Sequence, residues 1–306
     1  MQPDHFSRTA VGTAFMRAYH AAHDHPKIFD DFLAQRLIKA EEYQIIEARH
    51  LEVFRRTDPA RAAACPDQAS ALAGWMQSGA PQPITLGRAR YAEDNLEQAV
   101  RQQGVKQYVI LGAGLDTFAW RRPDLLASLQ VFEVDHPATQ AFKRHRLRQL
   151  DEGPPAQLHF VPVDFDRENL ATALRRSAFD PQAPSFFGWL GVTYYLSRAA
   201  VFATLQAIAE LAPAGSAVCF DYLDTEAFVP GKVAGRVQIM MELVGRMGEP
   251  MITGFDPITL AADLAGLGLR LEEDLSPADI QGHFFAGRQD GYRACEHAHF
   301  ARAVVA

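Results

Sequence analysis

Residues 107–125 read QYVILGAGLDTFAWRRPDL, a β-rich run (108–111) that ends in Val109, Ile110 and Leu111 and meets Gly112, Ala113 and Gly114 at once. Glycines at a strand end let backbone approach a ligand closely, and a helix beginning just beyond offers amides without intrahelical partners. Further runs of the same kind follow at 129–134, 158–163, 185–190 and 216–223, separated by helical patterns at 137–150, 168–177 and 198–211. Ser197 is placed to cap the last of these helices, and Pro213 and Gly215 to end it. Strands alternating with crossover helices predict an α/β fold, a doubly wound and mostly parallel sheet. Beyond Asp224 a helix is expected around Met240–Met247 and another over 258–267. The runs 269–275 and 300–305 are expected to close the sheet as a pair.

Upstream of residue 101 the apolar positions, among them Phe32, Leu33, Leu37, Ile38, Ile45 and Ile46, follow helical rather than alternating spacing. Between Asp58 and Pro83 the composition shifts to Ala, Gly, Pro and Ser around Trp75, which reads as an ordered connection. The chain therefore divides into a helical section, 1–100, and an α/β section, 101–306, expected to form one compact unit.

At 306 residues and 48% apolar content the chain can bury a substantial core without metal or disulfide support. Thirty basic against thirty-seven acidic side chains, with a net charge of -7 and no basic cluster, argue against a nucleic-acid partner. Cys65, Cys219 and Cys295 are far apart and form neither a disulfide framework nor a zinc pattern, which fits a reducing cytoplasm. Charged residues break up the first thirty positions and no apolar run reaches membrane-spanning length, so no membrane partner is expected.

The second run ends in Glu133, Val134 and Asp135, about twenty residues past the glycines, where carboxylates bond ribose hydroxyls in nucleoside sites. Asp135 could instead cap the helix that begins at Pro137. Asp164 ends the third run, where it can accept from an adenine amino group while Phe165 packs on the ring. A pyrophosphate would want a third glycine and no acid near the helix start. Thr117 and Asp116 stand there instead, which disfavours a dinucleotide. S-adenosyl-L-methionine has no phosphate and carries a sulfonium cation that Asp116, Glu133 and Asp135 would welcome.

The blocks SRTAVGTAFMRAYH (7–20), HPKIFDDFLA (25–34), RARYAED (88–94), VFEVDHPATQAFKRHRL (131–147) and VPVDFD (161–166), together with the opening stretch, resemble the bacterial branch of the leucine carboxyl methyltransferase family. The likeness continues through GFDPITLAADLAGLGLRLEEDLSP (254–277) and GRQDGYR (287–293). It implies a Rossmann-like S-adenosyl-L-methionine-dependent O-methyltransferase with a seven-stranded sheet, an antiparallel last strand and a helical N-terminal lid. It also implies that Arg90 holds the methionine carboxylate, with Arg8 as a second candidate. On the same grounds Gly112 and Gly114 line the methionine, Asp135 binds the ribose, and Asp164 and Phe165 face the adenine. One departure stands out: relatives carry an acid in a W-L-A-E-G-type block after the fourth strand, and Leu190 occupies that place here.

Methyl transfer needs alignment and exclusion of water rather than a covalent nucleophile. A small or medium carboxylic acid is the expected acceptor, in a pocket walled by Tyr194, Tyr222 and Phe255 with Arg288 at the rim. A phenol or other hydroxyl is the alternative and would want a base, for which His283, His297 and His299 are candidates. A nucleotide-binding oxidoreductase and a non-catalytic nucleoside-binding protein are the readings from other classes. The quaternary state is left open.

Overall fold

The computed structural model describes residues 6–150, 153–164 and 168–306. Its centre is one sheet of seven strands in the order β3-β2-β1-β4-β5-β7-β6. The strands are β1 (Gln107–Leu111), β2 (Gln130–Asp135), β3 (Leu158–Pro162), β4 (Ser185–Trp189), β5 (Ala217–Leu223), β6 (Leu269–Leu275) and β7 (Ala298–Val305). β1 to β5 pair in parallel, whereas β7 runs antiparallel to both β5 and β6. The doubly wound sheet and its antiparallel last strand are thus as expected. The order reverses between β1 and β4, and ligands of such sheets bind at the carboxyl ends of the strands flanking that point.

β1, β4 and β5, at the centre of the sheet, are buried at every position, which is why they read as continuous apolar runs. Tyr108, Ile110, Val131 and Phe186 pack under one helical layer, while Val109, Leu111, Phe132 and Phe187 pack under the other. Phe132, Phe186 and Phe187 have no exposure, and truncating one of them to alanine should cost about 3–5 kcal/mol.

The N-terminal third is helical: α1 (Arg8–His23), α2 (Ala40–Thr57), α3 (Pro59–Ala64), α4 (Gln68–Ser78) and α5 (Pro81–Gln103). The Ala- and Pro-rich connection is therefore itself built of helices, since Asp58 and Asp67 cap α3 and α4 and prolines start α3 and α5. Phe32 and Ile45 lie 59% and 51% exposed, against the helical periodicity. Phe32 lies between α1 and α2, where only a 3-10 turn, Ala34–Leu37, forms and the helical phase is lost, while Ile45 is on α2 but off the face that Leu51 and Phe54 bury. α1, α2 and α4 share a core through Phe15, Leu51, Phe54 and Trp75, which also takes in Leu115 from the loop after β1. α5 packs on the sheet itself through Leu86, Tyr91 and Leu96.

The remaining α-helices follow the strands: α6 (Phe118–Arg121), α7 (Pro123–Leu126), α8 (Pro137–Gln149), α9 (Leu170–Arg175), α10 (Arg198–Leu211), α11 (Gly235–Arg246), α12 (Pro257–Ala265) and α13 (Pro277–Ile280). Ser197 accepts from the Ala200 amide and caps α10 as its sequence suggests. Among the described residues no helix is long and apolar enough to cross a membrane.

Candidate functional site

Gly112 and Gly114 adopt φ of +70° and +50°, the left-handed region that glycine enters at little cost. The resulting turn is closed on itself. Gly112 and Ala113 donate their amides to the Val134 carbonyl at 2.8 and 3.2 Å, Asp116 donates to Ala113, and Gly114 donates to Asp135 Oδ2 at 2.5 Å. No amide of that group points outward for a pyrophosphate, and α6, only four residues long, offers little dipole. The turn still borders a cavity of about 760 Å³ at the β1–β4 crevice.

Asp135 lines the same cavity. Its Oδ1 accepts from the His136 amide at 2.6 Å, so the two acceptor bonds hold the carboxylate rigid while each oxygen keeps a lone pair for a ligand hydroxyl. Burial raises its carboxyl above the ordinary range, against the lowering effect of the Gly114 and His136 amides. The cap of α8 is supplied by His136 instead. Glu133, two residues back on the strand, does not reach the cavity: it is 1% exposed and bonds Lys143 Nζ at 2.5 Å. Asp164 lines the cavity with Glu168 and Asn169, and Phe165 lies outside the described residues.

Arg90, expected at the methionine carboxylate, does not line the cavity, whereas Arg88, two positions earlier, does. Arg90 is exposed on the outer face of α5, where its Nε bonds Asp94 at 2.7 Å. Arg88 lies in the cavity wall at 8% exposure. Its Nη1 donates to the Tyr194 hydroxyl at 2.6 Å and to Asp221 Oδ2 at 3.1 Å, leaving the Nη2 edge for a planar anion. The helix repeat explains the exchange, because Arg88 shares its face with the buried Ile84 and Tyr91 whereas Arg90 is in phase with Asp94. Arg8 likewise is exposed at the start of α1, and the arginine of that helix in the cavity wall is Arg17.

The expected acceptor wall falls elsewhere. Tyr222 is buried with its hydroxyl on Asp274, and Phe255 packs against its ring edge-on at 6.0 Å. Tyr194 is committed to Arg88. Arg288 bonds Asp290 and the Pro26 carbonyl, away from the cavity. Of the three histidines, His283 is exposed, His297 bonds Asp224 at 2.9 Å, and His299 stacks on Tyr222 near Asp274. None of these side chains lines the cavity.

What does complete the enclosure comes from three distant segments. From α1, Ala10 presses on the glycine turn so closely that a Cβ at Gly114 would lie 3.0 Å from its methyl. Val192 leans on Gly112 in the same way, at 2.5 Å. Farther along α1, Arg17 bonds the buried Asp31 at 2.8 Å and the Leu115 carbonyl at 2.7 Å. Asp31 also accepts from Thr117 at 2.7 Å. Burial alone would raise the Asp31 carboxyl, but Arg17, Arg121 and Thr117 hold it below its usual range. Arg121 in turn forks onto Glu93.

The third segment, the loop after α11, brings Glu249, Pro250 and Ile252 to the cavity beside Tyr195 and Leu196. Glu249 Oε2 accepts from the Thr9 amide at 3.3 Å and from the Ser7 hydroxyl at 3.4 Å, and it has no cationic partner among the described residues. Sequence reasoning missed Glu249 and Asp221 because only the fold brings them to α1 and α5.

The donor set fits S-adenosyl-L-methionine: a guanidinium edge for a carboxylate, a fixed acid for ribose, and acids at the turn for a cation, with no place for phosphate.

A family model described as leucine carboxyl methyltransferase matches residues 10–209. The chain is 38% identical over 304 residues, 99% of each, to a Bacillus subtilis (strain 168) protein named "Putative S-adenosyl-L-methionine-dependent methyltransferase YktD". A Mycobacterium avium (strain 104) protein named in the same terms is 31% identical over 276 residues, 90% of this chain and 82% of that one. Among solved structures, a DUF574 family protein from Streptomyces avermitilis superposes with a TM-score of 0.59 at 15% identity, covering 96% of this chain and 97% of that one.

Proposed function

The chain belongs to the leucine carboxyl methyltransferase family and depends on S-adenosyl-L-methionine, and from that premise we propose that it methylates a hydroxyl oxygen, phenolic in the first instance, on a small or medium acceptor with an apolar body. The observation that carries this reading is Glu249, a carboxylate in the cavity wall with no cationic partner among the described residues. Among the described residues each arginine of the wall already has a use: Arg17 and Arg121 pair with Asp31 and Glu93, and Arg88, held by Asp221, is kept for the cofactor's carboxylate. Among the described residues no arginine or lysine of the wall is then free to offset the repulsion between Glu249 and a carboxylate acceptor. A hydroxyl would meet an acceptor for its proton.

The bound cofactor supplies an electrophilic methyl group on a sulfonium. Arg88 and Asp135 fix its two ends, the first through a carboxylate and the second through ribose hydroxyls. Leu190, Val192, Leu196 and Ile252 give the acceptor an apolar wall that excludes water. Glu249 Oε receives the proton that leaves the acceptor oxygen, which a phenol with a pKa near ~10 requires and an ionised acid does not.

The test is a screen of phenols and carboxylic acids with methyl-labelled cofactor, followed by rate against pH for any substrate found. A product stable to mild alkali and a turnover that falls at least tenfold in Glu249→Gln support hydroxyl transfer. An alkali-labile product formed at a rate flat from pH 7 to about 9 rejects it in favour of carboxyl methylation.

A further inference from the structure

Asp221 is 2% exposed, lies on β5 outside the cavity, and uses both oxygens at once. Oδ1 accepts from the Gly191 amide at 2.6 Å, and Oδ2 accepts from Arg88 Nη1 at 3.1 Å. One carboxylate thereby ties the turn after β4 to the guanidinium on α5. The tie is close. Gly191 has φ +73°, and a Cβ there would stand 2.4 Å from Arg88 Nη2, so the guanidinium lies directly against this residue. The neighbouring Leu190 lines the cavity, and no acid reaches Arg88 from that residue.

We propose that Asp221 positions Arg88 to receive the cofactor's carboxylate, holding the guanidinium by its Nη1 corner so that the opposite edge is presented to the cavity. A desolvated arginine with a long flexible stem would otherwise sample several orientations, and a two-pronged anion contact tolerates little misalignment. The inference rests on dependence on S-adenosyl-L-methionine and not on the identity of the acceptor.

Two roles for Asp221 predict opposite signs. As a counter-charge alone it would weaken anion binding, and its removal would leave Arg88 uncompensated and more attractive to a carboxylate. As a positioning residue its removal should weaken that contact. The experiment is calorimetry of S-adenosylhomocysteine and of its analogue lacking the α-carboxylate, on the wild type and on Asp221→Asn. Wild-type protein should prefer the carboxylated ligand by tenfold or more. In Asp221→Asn that preference should fall to within about threefold, while the affinity for the decarboxylated analogue stays within twofold. A general loss of structure would weaken both ligands together and leave the ratio in place.

Unchanged preference in Asp221→Asn, or tighter binding of S-adenosylhomocysteine, overturns the proposal. Tyr194→Phe provides an arm that leaves Asp221 untouched: it removes the other Nη1 partner, and the preference should survive. Its collapse in Tyr194→Phe would assign the positioning to the phenol instead. Absence of any binding to the wild type would count against the cofactor premise rather than against Asp221.

Discussion

Lys143 Nζ stands 2.5 Å from Glu133 Oε2 with both side chains 1% exposed, two residues along β2 from the Asp135 carboxylate. Burial drives the Glu133 carboxyl up to about 7, Lys143 pulls it down, and Asp116 and Asp135 add repulsion in the upward direction. A carboxyl raised above its ordinary value stabilises the fold fully below that ordinary value and loses the contribution as pH rises through the folded one. Stability should therefore decline between about pH 4.5 and 7 on account of this residue. Glu133→Gln should flatten that part of the urea-midpoint profile. An unaltered slope in the variant would assign the decline to other groups.

The two arginines of the RARY block should separate cleanly. Arg88→Lys, which loses the planar fork, should weaken S-adenosylhomocysteine binding at least tenfold, whereas Arg90→Ala should leave it within twofold. The exposed Arg90–Asp94 pair contributes at most about 0.5 kcal/mol to α5, so thermal stability should barely move. Calorimetry on both variants decides the matter, and the reverse pattern would return Arg90 to the site.

Asp135→Asn keeps the shape and removes the charge. Two ribose hydroxyls then lose a charged acceptor, and the Gly114 amide keeps only a neutral partner, so cofactor affinity should fall by about 1–3 kcal/mol. Affinity equal to wild type, with an unchanged circular dichroism spectrum, would take Asp135 out of the binding site.

His50 offers a pH response at low values. It accepts from Trp75 Nε1 at 2.8 Å and stacks on Phe15, and burial lowers its pKa to about 4. Its stabilising contribution is present above the ordinary histidine value and is lost as pH falls through about 4. Trp75 fluorescence, isolated by replacing Trp120 and Trp189 with Phe, should report an acid transition that moves to lower pH in His50→Gln. A transition at the same pH in both proteins would dismiss His50 as its cause.

The strands and their order of use were legible because a sheet buried on both faces writes its apolar runs into contiguous sequence, as at Tyr108–Leu111. The glycine turn and Asp135 were legible for the same reason, since each sits at the end of such a run. Helix phase alone puts Arg88 rather than Arg90 on the inward face of α5, which Ile84 and Tyr91 mark. Asp221 and Glu249 had no local signal. The first meets an arginine 133 positions away and the second a helix start 240 positions away, and such pairings exist only after the chain has closed. Tyr222 and Phe255 misled because an aromatic at the end of a strand looks the same whether it faces a cavity or a neighbouring ring.

α1 is anchored very unequally along its length. Near its middle Arg17 is clamped to Asp31 and the Leu115 carbonyl at 2.7–2.8 Å, while its start is held by the Ser7 and Thr9 bonds to Glu249 and by Ser7 to Thr139, at 3.2–3.4 Å, and by Phe6 stacked on Phe142. The helix is thus a lever with its fulcrum at Arg17 and its light arm over Gly114. Lifting that arm alone would open a route into the cavity and leave the Asp31 network intact. Hydrogen exchange should find the amides of Thr9 and Ala10 opening well before those around Tyr19, and bound S-adenosylhomocysteine should slow the first group without touching the second.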